Sequence, residues 1–110
     1  MIRPSESLVG TQLNSVWLEG KLVADPVDLA LEGGWCRFRV EATQNREPVS
    51  TFLVEAAESA LDGCRSRLGR GQGVRIIGRL HQHQWTDPTG RTRKEVAIIS
   101  ELVEPLGLPL

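Results

Sequence analysis

Apolar residues fall at every second position through most of this chain, the spacing of strands whose two faces see different surroundings. Leu13 to Val23 places Val16, Leu18, Gly20 and Leu22 on one face and ends at Asp25-Pro26. Trp35 to Thr43 sets Cys36, Phe38, Val40 and Ala42 against Trp35, Arg37, Arg39 and Glu41. Val49 to Ala56 offers Phe52, Val54 and Ala56 as a third inner face. Val74, Ile76, Gly78 and Leu80 form a fourth within Val74 to Trp85, and Val96, Ile98 and Ser100 a fifth within Arg91 to Leu102. Turn residues separate these runs. Pro26 and Gly33-Gly34 mark Ala24 to Gly34 as a loop, Gln44 to Pro48 has the length of a hairpin link, and Asp87-Pro88-Thr89-Gly90 predicts a tight turn.

One segment changes period. Ala57, Ala60, Leu61, Cys64 and Leu68 recur at three- and four-residue steps, which predicts a single amphipathic helix from about Glu58 to Gly69. Glu58 and Asp62 lie near its start and Arg65, Arg67 and Arg70 near its end, as the helix dipole favours, while Gly69, Gly71 and Gly73 stop it. Five strands with one α-helix between strands 3 and 4 is the element order of an all-β oligonucleotide/oligosaccharide-binding (OB) barrel of Greek-key topology, one candidate among small β-barrels. The expected organisation is an extension over residues 1–12, a domain over 13–103 and a short tail over 104–110.

At 110 residues the chain suits one small domain, and 40% hydrophobic with 25% charged residues excludes wholesale disorder. It holds no apolar run of membrane-spanning length, and Met-Ile-Arg-Pro-Ser-Glu-Ser lacks the apolar stretch of a signal peptide, so a cytoplasmic protein is expected. Cys36 and Cys64, both on apolar faces, are expected to be buried, reduced and inert. The net charge of −1 gives no hint of a polyanionic ligand, but its distribution does: Gly63 to Glu95 is +6 and the remainder −7. Eleven of the thirteen cations are Arg, which both pairs with phosphate and stacks on rings.

The outward positions of the fourth run are Arg75, Ile77, Arg79, His81, His83 and Trp85. Cations and imidazoles ending in an indole suit a single nucleic-acid strand, phosphates on the charges and a base on the ring; the plainer reading is a solvated basic face. Arg37 and Arg39 share a face with Trp35 and Glu41, where phosphate contact competes with a cross-strand ion pair to Glu55. Trp35, next to Gly33-Gly34, either stacks on a base or caps the barrel. Trp17, opposite Val16 and Leu18, points to a subunit contact on the first strand in preference to a surface ring under the tail. His81-x-His83 presents two imidazoles without the further ligands a structural zinc site needs. No metal or cofactor is expected. No acid pair, nucleophile turn or Cys-His pairing suggests catalysis, and Gly69-x-Gly71-x-Gly73 ends a helix where a nucleotide fingerprint would open one.

Longer motifs sharpen this picture. Asn14-x-Val16-x-Leu18-x-Gly20-x-Leu22-x-x-Asp25-Pro26 resembles the opening strand of bacterial single-stranded DNA-binding proteins. Leu68-x-x-Gly71-x-x-Val74-x-Ile76-x-Gly78-x-Leu80 resembles their helix end and fourth strand, and Trp85-Thr86-Asp87-x-x-Gly90 with Arg93 their next hairpin. The resemblance implies an OB barrel that binds single-stranded DNA and assembles as a homodimer or homotetramer through its first strands. Trp85 then matches a base-stacking aromatic, His81 and His83 match basic positions, and Arg70 a helix-terminal cation. Thr51 and Ala57 stand where many members carry a stacking Trp and Phe, and Gln44 to Pro48 is shorter than their long DNA-contacting hairpin. The short ending Leu-Gly-Leu-Pro-Leu resembles the primosomal replication proteins, which share the fold and form dimers.

The reading that joins these features is sequence-tolerant binding of single-stranded DNA in replication, repair or recombination. The strand-facing set is Arg37, Arg39, Arg46, Arg70, Arg75, Arg79, His81, His83, Trp85, Arg91 and Arg93, and the subunit contact uses Trp17, Glu19 and Phe52. The rival is a module that docks replication or primosome proteins and touches DNA weakly.

Overall fold

Strand-forming residues pair into one continuous sheet. The computed structural model describes residues 13–29, 34–42 and 49–107. It contains β1 (Val16–Leu22), β2 (Val27–Leu29), β3 (Trp35–Ala42), β4 (Ser50–Ala57), β5 (Gly73–Thr86) and β6 (Thr92–Pro105). The strand order is β1-β5-β6-β4-β3-β2, and β1 also pairs with β3. That extra pairing, Lys21 with Glu41 and Leu22 with Val40, joins the two sides of the sheet into a ring. Every pairing is antiparallel except β4 with β6, which run parallel from Leu53–Ala97 to Ala56–Ser100.

Alternation accounts for the core. The inward positions Leu22, Cys36, Phe38, Val40, Val54, Ala56, Val74, Ile76, Ile98 and Val103 are all buried in one cluster, with Val16 and Leu18 packed against it. Leu61, Cys64 and Leu68 complete it from the segment between β4 and β5. Both thiols are buried and unpaired, and desolvation raises their pKa, so they remain protonated.

That segment departs from the sequence expectation. The single α-helix from Glu58 to Gly69 is replaced by two 3-10 turns, Glu58–Leu61 and Arg65–Arg67. Asp62 leaves helical geometry at ψ 126°, and Gly63 follows at φ +79°. A glycine already costs a helix interior about 1 kcal/mol against alanine. Two short turns deliver Leu61, Cys64 and Leu68 to the core without that cost, so the apolar spacing was legible and the helix was not. Two smaller departures follow the same lines. The loop after Pro26 contains β2, which pairs Val27 with Arg37 and Leu29 with Trp35. β6 continues to Pro105, where Leu106 N donates to Gly73 O.

Two glycines allow backbones to meet. A Cβ on Gly20 would strike the Glu41 carbonyl, where β1 crosses toward β3, and one on Gly78 would strike the Ile99 carbonyl. Beside Gly78 the β5–β6 register jumps from Gly78–Ser100 to Ile77–Leu102, leaving Glu101 as the extra residue of a bulge. Beyond it Leu80 is half exposed and its backbone is held by Asn14, which accepts from Leu80 N and donates to Leu80 O. Gly78→Ala is expected to destabilise the fold by about 1–3 kcal/mol, the usual range for overpacking a tight site. It should lower the urea midpoint at unchanged slope. Gly90→Ala meets nothing within 4 Å and has only its φ of +83° to strain, so its loss should be smaller.

Candidate nucleic-acid interface

The outward faces of β3, β4, β6 and β5 bring the candidate residues together. Register sets two rows across four strands: Arg37, Glu55, Ile99 and Arg79 in one, and Arg39, Leu53, Ala97 and His81 in the next. Two further pairs, His83 with Glu95 and Trp85 with Arg93, extend the face along the β5–β6 arm. Leu53 and Ala97 are buried although they point outward, so the side chains around them close over the sheet. Arg37, Arg39, Leu53, His83, Trp85 and Glu95 line a groove of about 420 Å³. This lies within the range of small-ligand clefts.

Within the groove, His83 and Trp85 stack with ring centroids 5.3 Å apart and planes at 30°. Arg37 Nη2 lies 3.5 Å from His83 Nε2 and 3.7 Å from Glu55 Oε1. His83 Nδ1 lies 3.8 Å from the same carboxylate oxygen. Arg39 Nη1 donates to Glu95 Oε1 at 2.9 Å. Of the two alternatives for these arginines, a cross-strand ion pair to Glu55 is present for Arg37, while Arg39 pairs with Glu95. Sequence reasoning missed Glu95, although its two-residue offset from Ala97 on the outward face was available. Arg79 and His81 are exposed on the same face.

The hairpin after β5 is ordered by one side chain. Asp87 Oδ1 accepts from Thr89 N, Thr89 Oγ1 and Arg91 N, and Oδ2 accepts from Arg93 Nε at 2.8 Å. Gly90 closes the turn at φ +83°. The hydroxyl of Thr89, then Arg93 and the backbone donors, lower the Asp87 pKa from 3.8 to about 2. This fixes Arg93 opposite Trp85 and the backbone of Arg91 in the turn.

Other candidates lie elsewhere. Arg75 pairs with Glu19 at 3.4 Å and Glu104 at 3.8 Å, over the β1–β5–β6 face. Arg70 is exposed in the turn leading to β5, with its backbone N donating to Asp25. Arg46 lies outside the described residues. Trp17 is 74% exposed and, by register, shares a row with Ile77 and the exposed Leu102. Phe52 is exposed near the opposite end of β4 from the 3-10 turns. Trp35 borders a smaller cavity with Asp28, Cys36, Glu58 and Arg65, away from the groove. Among the described residues no group of three or more His, Cys, Asp or Glu is placed to hold a metal ion, and no helix is long and apolar enough to cross a membrane.

Comparison with known proteins gives three findings. A family model described as the single-strand binding protein family matches residues 13–106. A curated single-stranded DNA-binding protein of Malacoplasma penetrans is 25% identical over 99 residues, covering 86% of this chain and 52% of its own length. The chain thus spans about half the length of that relative. Plasmodium falciparum SSB, solved in complex with ssDNA, has the same fold at TM-score 0.73 and 18% identity, over 88% of this chain and 97% of its own.

The depressed Asp87 pKa gives a signed prediction. A carboxylate whose folded pKa is lowered stabilises the fold fully above its unfolded value, and that contribution is lost as pH falls through the folded one. Amide protection of Thr89 and Arg91 should hold above about pH 4 and fall away toward pH 2, and Asp87→Ala should lose it at neutral pH. Hydrogen exchange read by mass spectrometry checks both.

Proposed function

We propose, from the premise that this chain belongs to the single-strand binding protein family, that it binds single-stranded DNA with little regard to base sequence and catalyses nothing. The observation behind this reading is the convergence of Arg37, Arg39, His83 and Trp85, from strands far apart in sequence, on one groove. The closed ring of strands is then an OB barrel. Its groove offers a base the exposed side of Trp85, and offers phosphates the guanidinium groups of Arg37, Arg39 and Arg79. His81, Arg91 and Arg93 extend the track along the β5–β6 arm; Arg70 and Arg75, and Arg46 outside the described residues, are proposed as further phosphate contacts. The setting proposed is DNA replication, repair or recombination.

Stacking of one base on an aromatic side chain contributes about 1–3 kcal/mol. Trp85 is the groove's one tryptophan, so cations must supply most of the affinity, and counterion release makes that share salt-dependent. Self-association is proposed through β1. Its residues Val16 to Gly20 pair with β5 on one side, while pairing with β3 begins only at Lys21. The other side of that segment has no strand partner among the described residues and would meet a second β1 antiparallel, the symmetric contact of a two-fold dimer. Trp17 and the Glu19–Arg75 pair would flank that seam, and Phe52 would serve a further contact.

Fluorescence anisotropy with a labelled oligo-dT should show affinity falling steeply as salt rises, with Trp85→Ala weakening binding by about 1–3 kcal/mol. Binding indifferent to salt, or surviving Trp85→Ala combined with Arg79→Ala, would overturn the groove assignment. No binding at low salt, with retained capture of a primosome or helicase component, would select the protein-docking rival. Light scattering behind a sizing column should give a dimer or tetramer at micromolar concentration. Trp17→Asp should shift it toward monomer, and a monomeric wild type would contradict the assembly.

A further inference from the structure

Glu55 is out of place in a groove for a polyanion. It is 6% exposed, and its Oε1 has no hydrogen-bond partner among the described residues. A buried carboxylate is costly unless it is paired. Glu55 does not line the groove itself, because Arg37 and His83 cover it, so it acts through them.

The atoms define a proton site. A guanidinium only donates, so His83 Nε2, 3.5 Å from Arg37 Nη2, is the accepting nitrogen. The tautomer that accepts there carries its proton on Nδ1, which faces Glu55 Oε1 at 3.8 Å, an ion-pair distance beyond hydrogen-bond reach. In this state Arg37 supplies the charge that balances Glu55. A phosphate that draws Arg37 outward leaves both Nε2 and Glu55 without a cation.

We propose that strand binding takes up a proton on His83, with Glu55 as the positioning residue that holds the resulting imidazolium. Arg37 turns to phosphate, the Nε2 lone pair accepts a proton from solvent, and Nδ1 still faces Glu55 at ion-pair distance. The buried carboxylate is balanced throughout, by Arg37 before binding and by His83 after it. The new charge also lies against the Trp85 indole, a cation–π arrangement that steadies the stacking ring. The remaining charges facing His83 are largely paired among themselves. Glu95, opposite it on β6, is held by Arg39, and Arg93 is held by Asp87, while His81 stands two residues away on the same strand. Because the complex holds more protons than the free protein, affinity rises as pH falls through the range where imidazoles titrate.

The test rests on the strand-binding reading and separates from it. Calorimetric titration with oligo-dT in two buffers of different ionisation enthalpy, at a pH where imidazoles titrate, should show heats that differ between the buffers, as net proton uptake requires. At fixed salt, binding should be roughly threefold to tenfold tighter near pH 6 than near pH 8, tenfold being one unit of pKa shift. His83→Gln and Glu55→Gln should each abolish the buffer dependence, whereas His81→Gln should weaken binding and keep it. If Glu55→Gln does not fold, His83→Gln alone decides. A wild type without buffer dependence, or a dependence that persists in His83→Gln, overturns the inference. Absence of binding at every pH contradicts the strand-binding reading itself.

Discussion

β5 is a 14-residue strand with two neighbours along its first half and one along its second. From Gly73 to Gly78 it is held by β1 and β6, and its inward residues Val74 and Ile76 are fully buried. From Arg79 onward it leaves β1 and continues on β6 alone to Thr86. The two-residue alternation set by core burial in the first half therefore dictates which side chains face outward in the second. A slip of one residue would turn Val74 and Ile76 out of the core, so the packing that stabilises the sheet also orients His83 and Trp85. Gly78 sits at the junction, where only a residue without Cβ lets β6 bulge past.

The groove's cations are not idle in the free protein. Arg37 and Arg39 in the groove, like Arg75 and Arg93 outside it, each have a carboxylate within ion-pair distance, which reconciles a cationic track with a net charge of −1. Exposed pairs of this kind are worth about 0–1 kcal/mol, so a phosphate can replace their carboxylates at small cost. Glu55 differs because it is buried, and losing its partner leaves a charge that water does not reach. For the strand proposed to bind here, the rim pairs would exchange at small cost, and the exchange at Glu55 would be compensated by His83.

Much of this was legible from spacing. Period-two runs located β1, β3, β4, β5 and β6 to within a few residues, and the outward row of β5 emerged intact because one face of every strand must be buried. The Arg37–Glu55 alternative was visible as two residues on plausible neighbouring strands. The helix was not, because Leu61, Cys64 and Leu68 satisfy the core equally well from two turns broken at Gly63. The three-residue β2 was hidden by Pro26 and the glycine pair. The outward place of Glu95 was legible, but that it meets Arg39, and that Arg75 meets Glu19 and Glu104, depended on cross-strand register, including the Glu101 bulge, which no local pattern encodes. Arg46 lies outside the described residues and keeps its standing as an expectation.

The central claim is that a DNA strand occupies the β3–β5 groove and not the β1 face. The three indoles report this directly, since Trp85 lines the groove, Trp17 stands on the β1 face and Trp35 borders the cavity by β2. A nitrogen–proton correlation spectrum of labelled protein, followed during addition of oligo-dT, resolves their side-chain N–H signals. The account predicts that the Trp85 signal moves most and that Trp17 stays in place once assembly is held constant. A large shift of Trp17 with Trp85 unmoved would contradict it.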